Sequence, residues 1–134
     1  MMGCYAQTEL GHGSNVAELE TTATFDLQAD EFVIHSPTLT STKYWPGGMG
    51  LWASHALVMA KCIINGKSYG VQAFLVPIRS NKDQSALPGI KVGDIGPKLG
   101  NQENDNGWLQ FDQVRIPREN MLCRFAFVTA AGKF

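Results

Sequence analysis

The pattern of apolar and polar positions favours strands over helices nearly everywhere along this chain. Thr21-Thr22-Ala23-Thr24-Phe25-Asp26 is rich in β-branched residues. Glu31-Phe32-Val33-Ile34-His35 follows it after a short polar turn, so the two segments read as a hairpin. His55 to Ile64 is a near-continuous apolar run, Asn65-Gly66 supplies a favoured two-residue hairpin turn, and Ser68 to Pro77 runs apolar again. A buried helix over residues 51–64 is the competing reading, and the Asn-Gly turn between two strand-length runs argues against it. Ser80 to Gly89 reads as a polar loop closed by Pro88-Gly89, and Ile90 to Ile95 as a short strand.

The alternation from Gly107 to Ile116 contains a slip. Leu109 and Phe111 share one face, whereas the next apolar pair, Val114 and Ile116, is shifted by one position. A β-bulge near Asp112-Gln113 would return both pairs to the same side of a single strand. Pro117 then breaks the strand, and no convincing amphipathic helix precedes residue 124. The expected architecture is all-β, a barrel or sandwich of six or more strands.

Composition narrows the class. The chain has 134 residues, 44% hydrophobic and 17% charged, which suits one domain with one real core and excludes a disordered chain. A net charge of −1 gives no electrostatic reason to expect nucleic acid. The longest apolar stretch, His55 to Ile64, is about half of a membrane span and contains Lys61. Three cysteines, Cys4, Cys62 and Cys123, lie far apart, an odd set that fits reduced thiols better than a disulfide framework or a zinc site. The first residues carry neither a basic nor an apolar leader, and both ends read as cut rather than finished. Residues 1–40 hold Glu9, Glu18, Glu20, Asp26, Asp30 and Glu31 without a single Lys or Arg. An anion bound there must be met by backbone N–H groups, hydroxyls or another chain.

Two stretches stand out as candidate chemistry. Tyr5-Ala6-Gln7-Thr8-Glu9-Leu10-Gly11-His12-Gly13-Ser14-Asn15 offers a hydroxyl, an amide, glycines and a serine with little apolar content. Such a segment can bring backbone N–H groups close to a phosphate or a heteroaromatic ring, or can be an ordinary polar loop. It is not a Walker loop, because no Gly-Lys-Ser/Thr ends it. Tyr44-Trp45-Pro46-Gly47-Gly48-Met49-Gly50 offers adjacent aromatics and glycine space suited to a flat ligand; a plain turn anchored by aromatics is the alternative. Hydrolase chemistry finds no support. His12, His35 and His55 sit near serines in sequence, but no nucleophile elbow, metalloprotease motif or helical carboxylate pair is present.

Taken together, these residues resemble a known family, the peroxisomal acyl-CoA oxidases. The likeness runs from Tyr5–Asn15 and Leu19–Asp26 through Ser36–Thr38, Lys43–Gly48 and Phe74–Arg79. It continues through Pro88–Ile90, Gly93–Lys98 and Arg115–Leu122, so residues 4 to about 128 follow the family's order and spacing. The resemblance implies the middle domain of a larger enzyme, a six- to seven-stranded antiparallel β-barrel or sandwich spanning residues 1–134, with flanking helical domains absent. It implies FAD as cofactor and desaturation of acyl-CoA to trans-2-enoyl-CoA, with O2 reduced to hydrogen peroxide.

It also places Gln7 and Thr8 at the isoalloxazine edge, Gly47 where the backbone approaches the ring, and Gly13 and Ser14 lining the same cleft. No catalytic residue is expected here, because the family's general-base glutamate belongs to the C-terminal helical domain; neither Glu9 nor Glu103 takes that role. The implied partners are acyl-CoA, O2, the remaining domains and a second subunit of a homodimeric parent, and the implied compartment is the peroxisome. A barrel that binds acyl-CoA or lipid without redox chemistry, and an acyl-CoA dehydrogenase, are the alternatives.

Overall fold

The apolar run and its Asn-Gly turn form the centre of the fold. A computed structural model of the chain describes residues 2–134. It places strand β5 at His55–Ile64 and β6 at Lys67–Pro77, paired antiparallel around Asn65 and Gly66, whose φ values of 51° and 76° suit a primed turn. The helical alternative for residues 51–64 is thereby excluded. On β5 every second residue is buried: Ala56, Val58, Ala60, Cys62 and Ile64 face the core. Two shorter strands share the other edge of β5. Strand β1, Gly3–Ala6, pairs parallel with residues 55–58, and β2, Thr22–Asp26, pairs parallel with residues 61–63.

The expected hairpin is present as β2 and β3, Glu31–His35, in antiparallel register from Thr22 opposite His35 to Asp26 opposite Glu31. A second sheet holds β4 (Lys43–Gly47), β8 (Asn106–Phe111) and β7 (Ile90–Asp94), in that order. Strand β9, Val114–Pro117, returns to the first sheet beside β3. Two findings correct the expectation of six or seven antiparallel strands. The described residues form nine strands in two sheets, and the first sheet is mixed because β1 and β2 both run parallel to β5.

The slip at Asp112-Gln113 has a different cause from a bulge. Gln113 takes φ 51°, and the chain leaves the sheet of β8 for the sheet of β9. Leu109 and Phe111 therefore fill the core from one sheet, and Ile116 fills it from the other. No helix forms after residue 124; the only helical turns among the described residues are short 3₁₀ segments at Val16–Glu18 and Arg118–Asn120.

Backbone bonds tie the two sheets together. Ser36 N–H, just past β3, donates to Phe111 O of β8 at 2.9 Å, and Leu10 N–H donates to Thr42 O beside β4 at 2.9 Å. After β9 the chain crosses to the outer edge of β6, where Leu122 N–H donates to Ala73 O at 2.9 Å and Asn120 Nδ2 to Leu75 O at 2.8 Å. The first sheet is thus strongly curled, with its two edge regions linked by residues 117–122. Within the curled first sheet, Phe32 packs on Phe25 and Phe74 at centroid distances of 5.1 and 4.9 Å.

Candidate functional site

The two stretches singled out from sequence lie side by side. Residues 8–11 run antiparallel along residues 40–44: Tyr44 N–H donates to Thr8 O at 2.9 Å and Gly11 N–H to Thr40 O at 3.0 Å, with Glu9 bridged to Lys43 between them. This pairing sets Gln7 and Thr8, both half-buried, against the strand that carries Gly47.

Charge hidden beneath that edge holds it in place. Glu9 and Lys43 form an ion pair at 3.0 Å with both side chains fully buried. Glu9 Oε1 accepts from Thr21 N–H and Oγ1 at 3.0 and 2.6 Å, and Oε2 accepts from Glu20 N–H at 2.8 Å, so the carboxylate seats the start of β2. The Lys43 ammonium also donates to Gln7 O at 3.0 Å and Met59 O at 2.7 Å. Burial pulls Lys43 down from its ordinary value to about 8, against the opposing pull of the Glu9 charge.

Strand β4 is bulged where it turns outward. Its register against β8 gains one residue between Tyr44 and Gly47, and Trp45 sits at φ 89°. Pro46 has no N–H to lose at such a bulge, and Asn106 Nδ2 caps Trp45 O at 2.7 Å. A bulky residue at positive φ is a costly conformation that surrounding contacts must enforce. Its result is that Trp45 and Gly47 face outward together while Pro46 is buried. The following turn is clamped from below. Arg79, buried on the far side, donates through Nη1 to Met49 O and Ala53 O at 2.9 Å each and through Nη2 to Gly50 O at 2.6 Å. Asp105 accepts Gly48 N–H on its carbonyl at 2.7 Å and Leu51 N–H on Oδ2 at 2.9 Å.

The donor set that this geometry leaves outward suits a flat heteroaromatic ring. Among the described residues, neither the N–H nor the hydroxyl of Thr8 is bonded to another group, and the Gln7 side-chain oxygen accepts only from Tyr5 Oη. A Cβ built on Gly47 would meet only Asp105 O, at 3.9 Å, so the space above it is open. Trp45, 55% exposed, stands beside it. The edge is an open surface rather than a cavity. A cleft of about 650 Å3 lies elsewhere, on the outer face of β2 and β3 near His35 and Gln113, and shares none of these residues.

Residues 4–114 match the family described as acyl-CoA dehydrogenase, middle domain. The chain belongs to that family. Over its full length it is 59% identical to peroxisomal acyl-coenzyme A oxidase 1 of Arabidopsis thaliana and 54% identical to its namesake in Homo sapiens, of which it covers 21% and 20%. Among solved structures it resembles Arabidopsis thaliana acyl-CoA oxidase 1 with a TM-score of 0.96 at 60% identity, covering 98% of this chain and 20% of that one. It resembles Caenorhabditis elegans acyl-CoA oxidase-1, complexed with FAD and ATP, with a TM-score of 0.96 at 50% identity and the same coverage of 98% and 20%. The chain thus spans about a fifth of the length of these relatives.

Within this middle domain, the structure brings Gln7, Thr8 and Gly47 to one edge. Gly13 and Ser14 lie further along, on the exposed loop that enters the Val16–Glu18 turn; Ser14 O accepts Val16 N–H at 3.0 Å, and among the described residues no hydrogen bond joins either residue to β4. Glu9 belongs to the buried scaffold, which is a physical reason for withholding a general-base role from it. Lys43, Asp105, Asn106 and Arg79 escaped the sequence reading. Lys43 alone left a signal, as a charged residue opening a strand otherwise made of Tyr, Trp, Pro and Gly.

Proposed function

We propose that this chain is the flavin-bearing middle domain of a peroxisomal acyl-CoA oxidase, a reading carried by the unbonded Thr8 donors beside the open Trp45–Gly47 edge. The identity of 59% to a peroxisomal acyl-coenzyme A oxidase across the whole chain supports the oxidase over the dehydrogenase. The same observations favour a redox domain over a lipid carrier, since an enclosed lipid would need a cavity and this edge is open.

When bound, FAD supplies the oxidation that sets a trans 2,3-double bond into an acyl-CoA and reduces O2 to hydrogen peroxide. The residues of this chain bind and orient. Thr8 N–H and Oγ1 and the Gln7 amide would hold the polar edge of the ring. Gly47 admits the ring close to the backbone, and Trp45 shields it from water. Gly13 and Ser14 would line the continuation of the same edge. The general base, the cations for the pyrophosphate and the second wall of the site come from the remaining domains and the partner subunit of a homodimeric parent. In that assembly the curled sheet and the three-stranded sheet close as a barrel.

The test is a titration of the purified chain with FAD, followed by visible circular dichroism, with Thr8→Ala and Gly47→Val beside it. Saturable binding in the wild type, weakened at least about 10-fold in both variants by loss of a hydrogen bond or of space, is the expected result. Equal binding by all three proteins would overturn the assignment of this edge.

A further inference from the structure

Lys43 sits beneath the candidate ring edge without touching it, and its three ammonium hydrogens have three acceptors: Gln7 O, Glu9 Oε1 and Met59 O, at 3.0, 3.0 and 2.7 Å. The position of Met59 explains one of these bonds. Strand β1 leaves β5 at Val58 and β2 joins it at Lys61, so the carbonyl of Met59 falls in the gap where neither strand supplies a donor. Lys43 fills that gap. A buried cation is costly unless fully bonded, and an apolar side chain here would leave two carbonyls unpaired instead.

The bond to Gln7 has a directional effect. No peptide in the described chain is cis, and a planar trans peptide carries its C=O and N–H on opposite sides. With the Gln7 carbonyl held inward on the ammonium, the N–H of Thr8 is sent outward. Among the described residues nothing accepts from it there, on a half-buried residue at the open edge.

We infer that Lys43 is a positioning residue for the flavin ring: by fixing the Gln7–Thr8 peptide plane it presents the Thr8 N–H as a preorganised donor. The inference rests on the flavin reading above and names what sets the direction of its main donor. Without the ammonium, the peptide is free to rotate. The donor then has to be ordered at the moment of binding, which weakens affinity without removing any group that touches the ring.

Three measurements on the full chain test this. In the wild type labelled with 15N, the Thr8 amide should exchange with solvent rapidly and become protected, with a shifted resonance, when FAD is added. A Thr8 amide already protected without FAD overturns the inference and involves no variant that could misfold. Lys43→Met/Glu9→Gln removes both buried charges together; it should bind FAD about 10-fold more weakly, the equivalent of one hydrogen bond, with a smaller Thr8 shift. Thr8→Pro deletes the N–H itself and should bind about 10-fold more weakly than Thr8→Ala, which keeps it.

A double variant that matches the wild type in affinity and in the Thr8 shift, or Thr8→Pro matching Thr8→Ala, overturns the role of Lys43. A wild-type chain that takes up no FAD even when the C-terminal helical domain of an acyl-CoA oxidase is supplied overturns the flavin reading, and this inference with it. The two failures are therefore distinguishable.

Discussion

The carboxylate of Glu9 meets the ammonium of Lys43 at 3.0 Å, and solvent reaches neither side chain. The pair joins the residues after β1 to β2, β4 and β5 through the bonds of its two heads. Breaking such a pair from one side leaves a buried charge without its partner. Lys43→Met or Glu9→Ala alone should therefore cost about 3–5 kcal/mol in urea unfolding, and Lys43→Met/Glu9→Gln less than either. Single variants within about 1 kcal/mol of the wild type would show that water reaches the site.

The same pair gives a pH dependence whose sign follows from linkage. Lys43 is pulled down from 10.5 to about 8 in the folded chain. Between those values the unfolded chain binds the extra proton, so the Lys43 contribution to stability grows as pH rises from 8 towards 10.5. It is lost again as pH falls through 8. Measured against Lys43→Met/Glu9→Gln, the wild type should gain stability across that window, by at most about 1.4 kcal/mol per pH unit. A constant difference between the two proteins from pH 7 to 10 would contradict the lowered value.

Local chemistry made the long hairpin legible, because two strand-length apolar runs joined by Asn65-Gly66 specify β5 and β6 without help from the rest of the chain. The partners of β5 on its other edge were not legible. Gly3 pairs with His55, and parallel pairing across that separation leaves no local trace. The slip at Gln113 was visible, but a bulge and a change of sheet displace the alternation alike; only the partners of β8 and β9 separate them. Gln7, Thr8 and Gly47 were reached through family resemblance. The groups that hold them, Lys43 and Arg79, were not singled out, because burial of a cation depends on acceptors supplied from distant segments.

Glycine 107 offers a test of how rigidly β8 supports the Gly47 turn. A Cβ there would lie 2.5 Å from Gly50 N and 2.8 Å from the carbonyl carbon of Met49, backbone atoms with little room to yield. Gly107→Ala should cost about 1–3 kcal/mol through overpacking and, by displacing residues 49–50, weaken FAD binding as well. Gly100→Ala is the matched control, since a Cβ there meets nothing within 4 Å. Thermal unfolding of the two variants separates the effects, and equal midpoints would contradict the close approach of β8 to the turn.

The cysteines should differ sharply in reactivity. Burial pushes the thiols of Cys4 and Cys62 up to about 11, while Cys123 is exposed. A disulfide reagent at pH 8 should titrate one thiol rapidly in the folded chain and three in denaturant. Two rapid thiols in the folded chain would mean that one of the strands β1 and β5 opens readily.

Arg79 reaches its acceptors as a planar fork, with Met49 O and Ala53 O on one nitrogen and Gly50 O on the other. Among the described residues no other cation donates to these three carbonyls, and Trp52 and Leu51 stand exposed on the turn they define. Arg79→Met strands the carbonyls, at about 1–3 kcal/mol for a buried unsatisfied group. Arg79→Lys keeps the charge but loses the fork, so it should recover only part of that loss. Native-state hydrogen exchange distinguishes a local from a global role. The amides of Trp52 and Ala53, which donate to Gly48 O at 3.2 and 2.8 Å, should lose protection in Arg79→Lys while those of β5 and β6 keep theirs. Uniform loss across the chain would instead make Arg79 a general support of the core, with no particular hold on the turn behind Gly47.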